Sequence, residues 1–294
     1  MISIVTSYYN RKQIFIRTLN SIKSQLDIYK NPLEVIVVDD GSDAEERLED
    51  LVVEFPFLKI VRLEKENKWY KNSCIPFNIG FRHAKGEKII FQNPECFHYG
   101  NILEFVENNL QESVYLSFAC YSLGIESTDN FENLIREPLS LKNLMEKNNQ
   151  GYIGDGLDCW YNHSVIRPAG YHFCCAITKR DLYDLGGFDE RFAQGVAYDD
   201  NEILYRIKLK GMKIEIIDTP IVFHQNHYQK PSSLNNVSLM DKKSKKLRHQ
   251  LVERNRIFFE EITQKTPSWK VNILDSIVED KDDLKSKILN FFRQ

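Results

Sequence analysis

The chain has 294 residues, enough for about two domains or for one large α/β domain with an appendage. Hydrophobic residues make up 42% and aromatics 12%, which excludes a wholly disordered chain, while 13 Gly and 9 Pro exclude a collagen-like or low-complexity one. Lys and Arg total 39 against 42 Asp and Glu, a net charge of −3, so the basic excess that would hold nucleic acid is absent.

Ile2-Ser-Ile-Val-Thr6 is a short apolar run of strand type, and Phe15, Leu19, Ile22 and Leu26 then recur at helical spacing. Glu34 to Asp39 is strongly β-branched and short, as a buried parallel strand requires. Residues 43–54 read as a helix opened by Ser42 or Asp43. Residues 58–63 read as a third strand, 74–85 as a helix stopping at Gly86, and 87–92 as a fourth strand. This alternation predicts an α/β fold with a mostly parallel sheet covered by helices on both faces. Residues 100–110 read as a helix and 113–121 as a strand. From 123 to 170 the chain is polar with an aromatic cluster, the pattern of a binding loop or lid holding short elements. Residues 171–177 return to strand, 200–211 form a helix with Ile203, Leu204 and Ile207 inward, and 213–217 and 221–223 are the last strands.

After Pro231 the composition shifts. Lys242, Lys243, Lys245, Lys246 and Arg248 form a basic run; Leu247, Leu251, Phe258 and Ile262 then fit an amphipathic helix, and 281–293 a second one. The expected organisation is a body of residues 1–228 and a helical extension of 229–294. The extension either packs on the core or offers a surface to a membrane or to a second copy. No window approaches the roughly 20 apolar residues of a membrane span, and the N-terminus lacks a signal-peptide pattern. Six cysteines without a CxxC pair or zinc spacing are expected as reduced thiols in a cytoplasmic protein, at most peripheral to a membrane.

Ligands of open parallel sheets bind at the carboxyl ends of the strands. Here those ends read Thr6-Ser-Tyr-Tyr-Asn-Arg11, Asp39-Asp-Gly-Ser42 and Gln92-Asn-Pro-Glu-Cys96, all polar and converging on one edge. A carboxylate ending the second strand can accept hydrogen bonds from a ribose or from a pyrimidine N–H. The absence of GxGxxG and of a P-loop argues against a dinucleotide site. The stretch Gly154-Asp-Gly-Leu-Asp-Cys-Trp-Tyr-Asn-His163 is Gly-rich and aromatic, and its rings offer faces for stacking while its acids can bond hydroxyls. Asp155, Trp160, Tyr161 and His163 are therefore candidates for contacts with a ring-bearing, hydroxylated ligand.

Seven segments in order resemble the inverting family-2 glycosyltransferases of GT-A fold. They are Val5-Thr-Ser-Tyr-Tyr-Asn10, Val37-Val-Asp-Asp-Gly-Ser42, Asn78-Ile-Gly80 with Ala84-Lys-Gly-Glu87, Asn93-Pro-Glu95, Gly186-Gly-Phe-Asp-Glu190, Tyr198-Asp-Asp-Asn-Glu202 with Arg206, and Val222-Phe-His224. The resemblance covers residues 1–228. It implies a nucleotide-sugar donor, with a uridine diphosphate sugar expected from family frequency, and a hydroxyl of a glycan or glycolipid, such as a surface polysaccharide, as acceptor. It places Thr6, Tyr8, Asp39, Asp40, Asn78 and Asn93 at the donor. It places Mn²⁺ or Mg²⁺ on Glu95 and His224, with His227 as the alternative histidine. Asp189 and Asp199 fall on the acceptor side, where Asp155, Trp160, Tyr161 and His163 become candidates to stack on and bond a sugar, and Asp200 falls in the role of base. Asn93-Pro94-Glu95 departs from the family's Asp-x-Asp, since an Asn carbonyl is the weaker ligand. That departure motivates a second reading, a catalytically silent sugar-nucleotide-binding or scaffold subunit. A nucleotidyltransferase ranks below both, because the loop after the first strand has no Gly.

Overall fold

Alternate side chains of the first apolar strand must both find cover, and the fold supplies a helix for each face. In the computed structural model, which describes residues 1–227, 241–265 and 268–274, β1 (Ile2–Tyr8) is followed by α1 (Lys12–Lys23), β2 (Leu33–Asp39), β3 (Leu58–Arg62) and α2 (Cys74–His83). Ile2 and Ile4 of β1 share a core with Phe15, Leu19 and Ile22 of α1, whereas Val5 joins Phe77 and Phe81 of α2 on the other face. Gly80 lets α2 lie against β1, because a Cβ there would overlap Val5.

Next come β4 (Lys88–Gln92), β5 (Cys96–Tyr99), α3 (Ile102–Asn109), β6 (Val114–Ser122), the short helices α4 (Ile125–Asp129), α5 (Phe131–Arg136) and α6 (Pro138–Lys147), and β7 (Cys159–Asn162). The chain then forms β8 (Cys174–Thr178), α7 (Lys179–Leu185), α8 (Asp199–Leu209), β9 (Lys213–His224) and α9 (Lys242–Gln264). The described strands make one sheet in the order β3-β2-β1-β4-β8-β6-β9-β5, with β7 on β6. β1 to β4, β6 and β9 run one way; β5, β7 and β8 run the other. The expected mostly parallel α/β sheet is thus present, with antiparallel strands inserted in its second half.

Two local expectations change. Residues 43–54 form two 3₁₀ turns, 44–46 and 49–52, instead of one helix. Their acids have partners elsewhere: Glu46 accepts from the Lys12 N–H, Asp50 pairs with Lys12 and Glu49 with Arg62. The two last strands are one, β9, whose register against β6 skips from Ile217 to Ile221. The 123–170 stretch holds α4 to α6 and β7, packed around Phe131, Leu141 and Trp160. The amphipathic pattern after Pro231 is realised as α9, whose Lys242, Lys243, Lys245 and Lys246 are exposed; the helix expected at 281–293 lies outside the described residues. All six cysteines are buried and unpaired. No described helix is long and apolar enough to cross a membrane.

One buried histidine makes the fold sensitive to acid. His98 on β5 is 3% exposed; its Nε2 lies 2.6 Å from Gln92 Oε1 and its Nδ1 3.0 Å from Gln25 Nε2. Both amides are oriented independently, Gln25 by the Leu103 N–H and Gln92 by the Cys96 carbonyl. Nδ1 must therefore accept and the ring stay neutral, and burial pushes its pKa from 6.5 down to about 3. The unfolded chain takes up this proton near pH 6.5 and the folded chain does not. Stability is thus full above pH 6.5 and is lost as pH falls toward 3, at about 1.4 kcal/mol per pH unit. His98→Gln is expected to be less stable than wild type at pH 7, yet to lose stability less steeply between pH 6.5 and 4. Urea midpoints measured across that range would check it.

Candidate active site

The carboxyl ends of β1, β2 and β4, the segment after β9 and the loop before α8 enclose a cavity of about 930 Å³. Tyr9, Arg11, Asp40, Lys68, Lys71, Asn72, Asn93, Glu95, Asp199 and His227 are among its lining residues. Arg11 leads into α1, and Asn93 to Glu95 form the turn between β4 and β5, closed by the Cys96 N–H on the Asn93 carbonyl at 3.1 Å.

Glu95 is the most constrained charge in this wall. Its side chain is 3% exposed, Oε2 lies 2.5 Å from Arg11 Nη1, and Oε1 lies 3.0 Å from His224 Nε2 and 3.2 Å from His227 Nε2. Burial favours the protonated acid, but the Arg11 charge and the hydrogen bonds from His224 and His227 outweigh it and hold the carboxyl well below its ordinary range. Burial pushes the His227 imidazole down to about 4, against the pull of Glu95, so it is neutral at pH 7. One carboxylate oxygen and two imidazole nitrogens thus lie within 4.8 Å of one another. That donor set suits a divalent transition ion such as Mn²⁺.

The second cluster opens α8. Asp199 is 8% exposed and accepts from Asn72 Nδ2 at 2.9 Å; burial, then the charge of Asp200, pushes its pKa up. Asp200 Oδ1 accepts the His172 backbone N–H at 3.0 Å and the His172 Nδ1–H, while Oδ2 has no hydrogen bond among the described residues. His172 is boxed by Phe77, Phe91 and Phe188, with ring centroids at 5.2, 6.0 and 5.0 Å. Burial opposes its positive charge, but the Asp200 carboxylate and its hydrogen bond prevail and raise the pKa. A carboxylate with one oxygen fixed by an oriented partner and one left open is built like a general base.

Of the residues expected at the donor, Asp40 and Asn93 line the cavity, and Thr6, Tyr8, Asp39 and Asn78 do not. Strand alternation explains the first two: Thr6 and Tyr8 point into the core, and Tyr9 faces the cavity instead. Asp39 is fully buried, accepting from the Ser42 N–H at 2.9 Å and from Arg62 Nη1 at 2.7 Å. Asn78 brackets Phe188, accepting its N–H at 2.9 Å and donating to its carbonyl at 2.8 Å. Asp189 is held by its neighbour Arg191, with oxygens 2.6–3.0 Å from the guanidinium. The 154–163 stretch is dispersed. Asp155 is exposed and bonded to Tyr152, and Tyr161 packs on His224 with ring centroids at 5.1 Å. Trp160 lines a separate groove of about 280 Å³, and His163 Nδ1 accepts the Val165 N–H. Arg11 and His172 entered no sequence-based assignment as partners of the two acids. The demand of a buried carboxylate for a counter-charge was the available signal.

The fold, with its cavity at the strand ends, is that of the GT-A glycosyltransferases. The chain belongs to glycosyl transferase family 2, whose family model matches residues 3–169. It is 27% identical over 241 residues to chondroitin synthase of Escherichia coli, a match covering 76% of this chain and 34% of that one. The chain thus spans about a third of the length of this curated relative. S. aureus TarS in complex with UDP superposes with a TM-score of 0.52 at 16% identity, covering 81% of this chain and 62% of that one. The mannosyltransferase PcManGT of Pyrobaculum calidifontis, solved with GDP-Man and Mn²⁺, superposes with 0.52 at 15% identity, covering 91% and 65%.

Removing the counter-charge of a fully buried carboxylate is costly. Arg62→Met, which strands Asp39, is expected to destabilise the protein by about 3 kcal/mol, read as a lower urea midpoint.

Proposed function

We propose that the chain transfers a sugar from a nucleoside diphosphate donor, a uridine diphosphate sugar first among them, to a hydroxyl of a glycan or glycolipid, with inversion at the anomeric carbon. The transfer unit is assigned to residues 1–228 and the helical extension to 229–294. One observation carries the reading: a single cavity is lined both by the Glu95–Arg11–His227 cluster and by Asp199 of the acidic pair. The UDP held by TarS and the GDP-Man and Mn²⁺ held by PcManGT support the donor class.

The roles follow from charge. Tyr9 offers its ring to the base, and Asp40 its carboxylate to a base or ribose hydrogen. As the bond from the anomeric carbon to the diphosphate breaks, negative charge collects on the phosphate oxygens, and Arg11 and Lys71 are among the cations in the lining that can meet it. A divalent cation held by Glu95, His224 and His227 would add Lewis-acid stabilisation of that leaving charge. On the other side of the sugar, Asp200 Oδ2 takes the acceptor hydroxyl proton as its oxygen attacks the anomeric carbon, while His172 holds Oδ1 still. One displacement inverts the centre, and such a base is worth about 10²–10⁴ in rate.

A second reading, donor binding without turnover, rests on Arg11, which occupies Glu95 Oε2. Calorimetric titration with UDP, with and without Mn²⁺, followed by a screen of uridine diphosphate sugars for turnover, separates the two. Metal-strengthened binding with turnover is expected; binding with no turnover favours the second reading. Glu95→Ala is expected to abolish the Mn²⁺ enhancement of UDP affinity, and an enhancement equal to wild type would remove Glu95 from the metal site. Asp200→Asn is expected to keep UDP affinity and to lose about 10² or more in kcat. A wild-type rate in that variant would exclude Asp200 as the base.

A further inference from the structure

The acidic pair sits on backbone that no local preference explains. Ala197 and Tyr198, the two residues before Asp199, both lie in the left-handed region, at φ 60° and 67°. Non-glycine residues occupy it singly and rarely, and persist there only where surrounding contacts over-determine them. At this turn the contacts come from α9, at least 53 positions further along the chain. Asn255 is fully buried on α9, and its Nδ2 donates to the Ala197 carbonyl at 2.9 Å and to the Phe192 carbonyl at 3.1 Å. Arg254 Nη1, at 2.9 Å, occupies its Oδ1. One turn earlier, the Leu251 carbonyl accepts the Val196 N–H at 3.2 Å, and the Phe259 ring lies 5.9 Å from that of Tyr198. Gly195 has no room for a side chain, because a Cβ there would overlap the Asn255 carboxamide. The opposite side of the loop is held by the Ala193 carbonyl, which accepts the Lys71 and Asn72 N–H groups at 2.7 and 3.1 Å.

We propose that Asn255 is a positioning residue: its buried carboxamide fixes the left-handed turn at Ala197–Tyr198 that sets Asp199 against the cavity and Asp200 against His172. The catalytic use of the pair rests on the function proposed above; the positioning does not. Without the carboxamide, the Ala197 carbonyl loses this donor, the Phe192 carbonyl keeps only the Gly195 N–H, and the turn is free to relax toward ordinary backbone, carrying the start of α8 with it.

The contact between Asp200 and His172 reports that geometry without any donor. The His172 pKa, followed by NMR and assigned with His172→Gln, is expected above the ordinary histidine value in wild type. Both Asn255→Ala and Asp200→Asn should bring it down toward that value. Leu110→Ala, which removes core bulk just beyond α3, should lower Tm and leave the His172 pKa in place. Gly195→Ala presses on the same carboxamide from the other side and is expected to act as Asn255→Ala does, which keeps the test alive if one variant fails to fold. UDP affinity with Mn²⁺ should be unchanged in Asn255→Ala, while kcat on the uridine diphosphate sugar that turns over should fall by about 10-fold to 100-fold. An unchanged His172 pKa in Asn255→Ala overturns the proposal, as does an equal shift in Leu110→Ala. Wild-type kcat in Asp200→Asn overturns the catalytic reading of the pair and leaves the His172 result standing, so the two failures are read separately.

Discussion

A carboxylate removed from water must be met by cations or hydrogen-bond donors, and at Glu95 three residues from two separate parts of the chain meet that demand. Arg11 arrives from the end of β1, and His224 and His227 from the end of β9, more than 120 positions away. The sheet makes the meeting possible: Cys96 is the register partner of His224, so Glu95 and the end of β9 lie side by side. The parallel β1–β4 pair brings Thr6 level with Gln92, which leaves the two following loops on the same edge. The cavity is thus a by-product of strand order, and its chemistry depends on keeping that one carboxylate ionised.

The acidic pair is held by a different kind of constraint. Its orienting histidine stands among Phe77 of α2, Phe91 of β4 and Phe188 of the loop after α7. The same loop is bracketed by Asn78 and faced by Asn255. Aromatic packing and buried amides rigidify the acid end, whereas charge neutralisation rigidifies the Glu95 end. Two unlike mechanisms therefore fix the two walls of one cavity.

Much of this was legible in the residues. The β-branched runs of β1 and β2 show their burial directly, and the polar strand ends mark the edge of the sheet on which the cavity opens. Asp40, Asn93, Glu95 and the Asp199–Asp200 pair could be picked out because each follows a strand or opens a helix. What the residue order hides is parity and distant partnership. Whether Tyr8 or Tyr9, Asp39 or Asp40 faces the cavity turns on a shift of one residue, which strand propensity does not resolve. The helical pattern of 43–54 fails because Glu46, Glu49 and Asp50 answer Lys12 and Arg62 from other elements. The bracket of Asn78 on Phe188 joins positions 110 apart, and no local pattern announces it.

The order in which these parts leave the ribosome differs from the order in which the site needs them. Among the described residues, every side chain lining the cavity lies between Ser7 and His227. Two of the carboxamides that hold the loop from Gly186 to Ala197, those of Asn255 and Asn272, come later. A nascent chain that has emerged as far as His227 possesses the whole lining and lacks the clamp on its acidic end. The wall around Glu95 needs only contacts already made, while the turn before Asp199 waits for α9. Biosynthesis therefore completes the Glu95 side of the pocket first and the Asp199 side last.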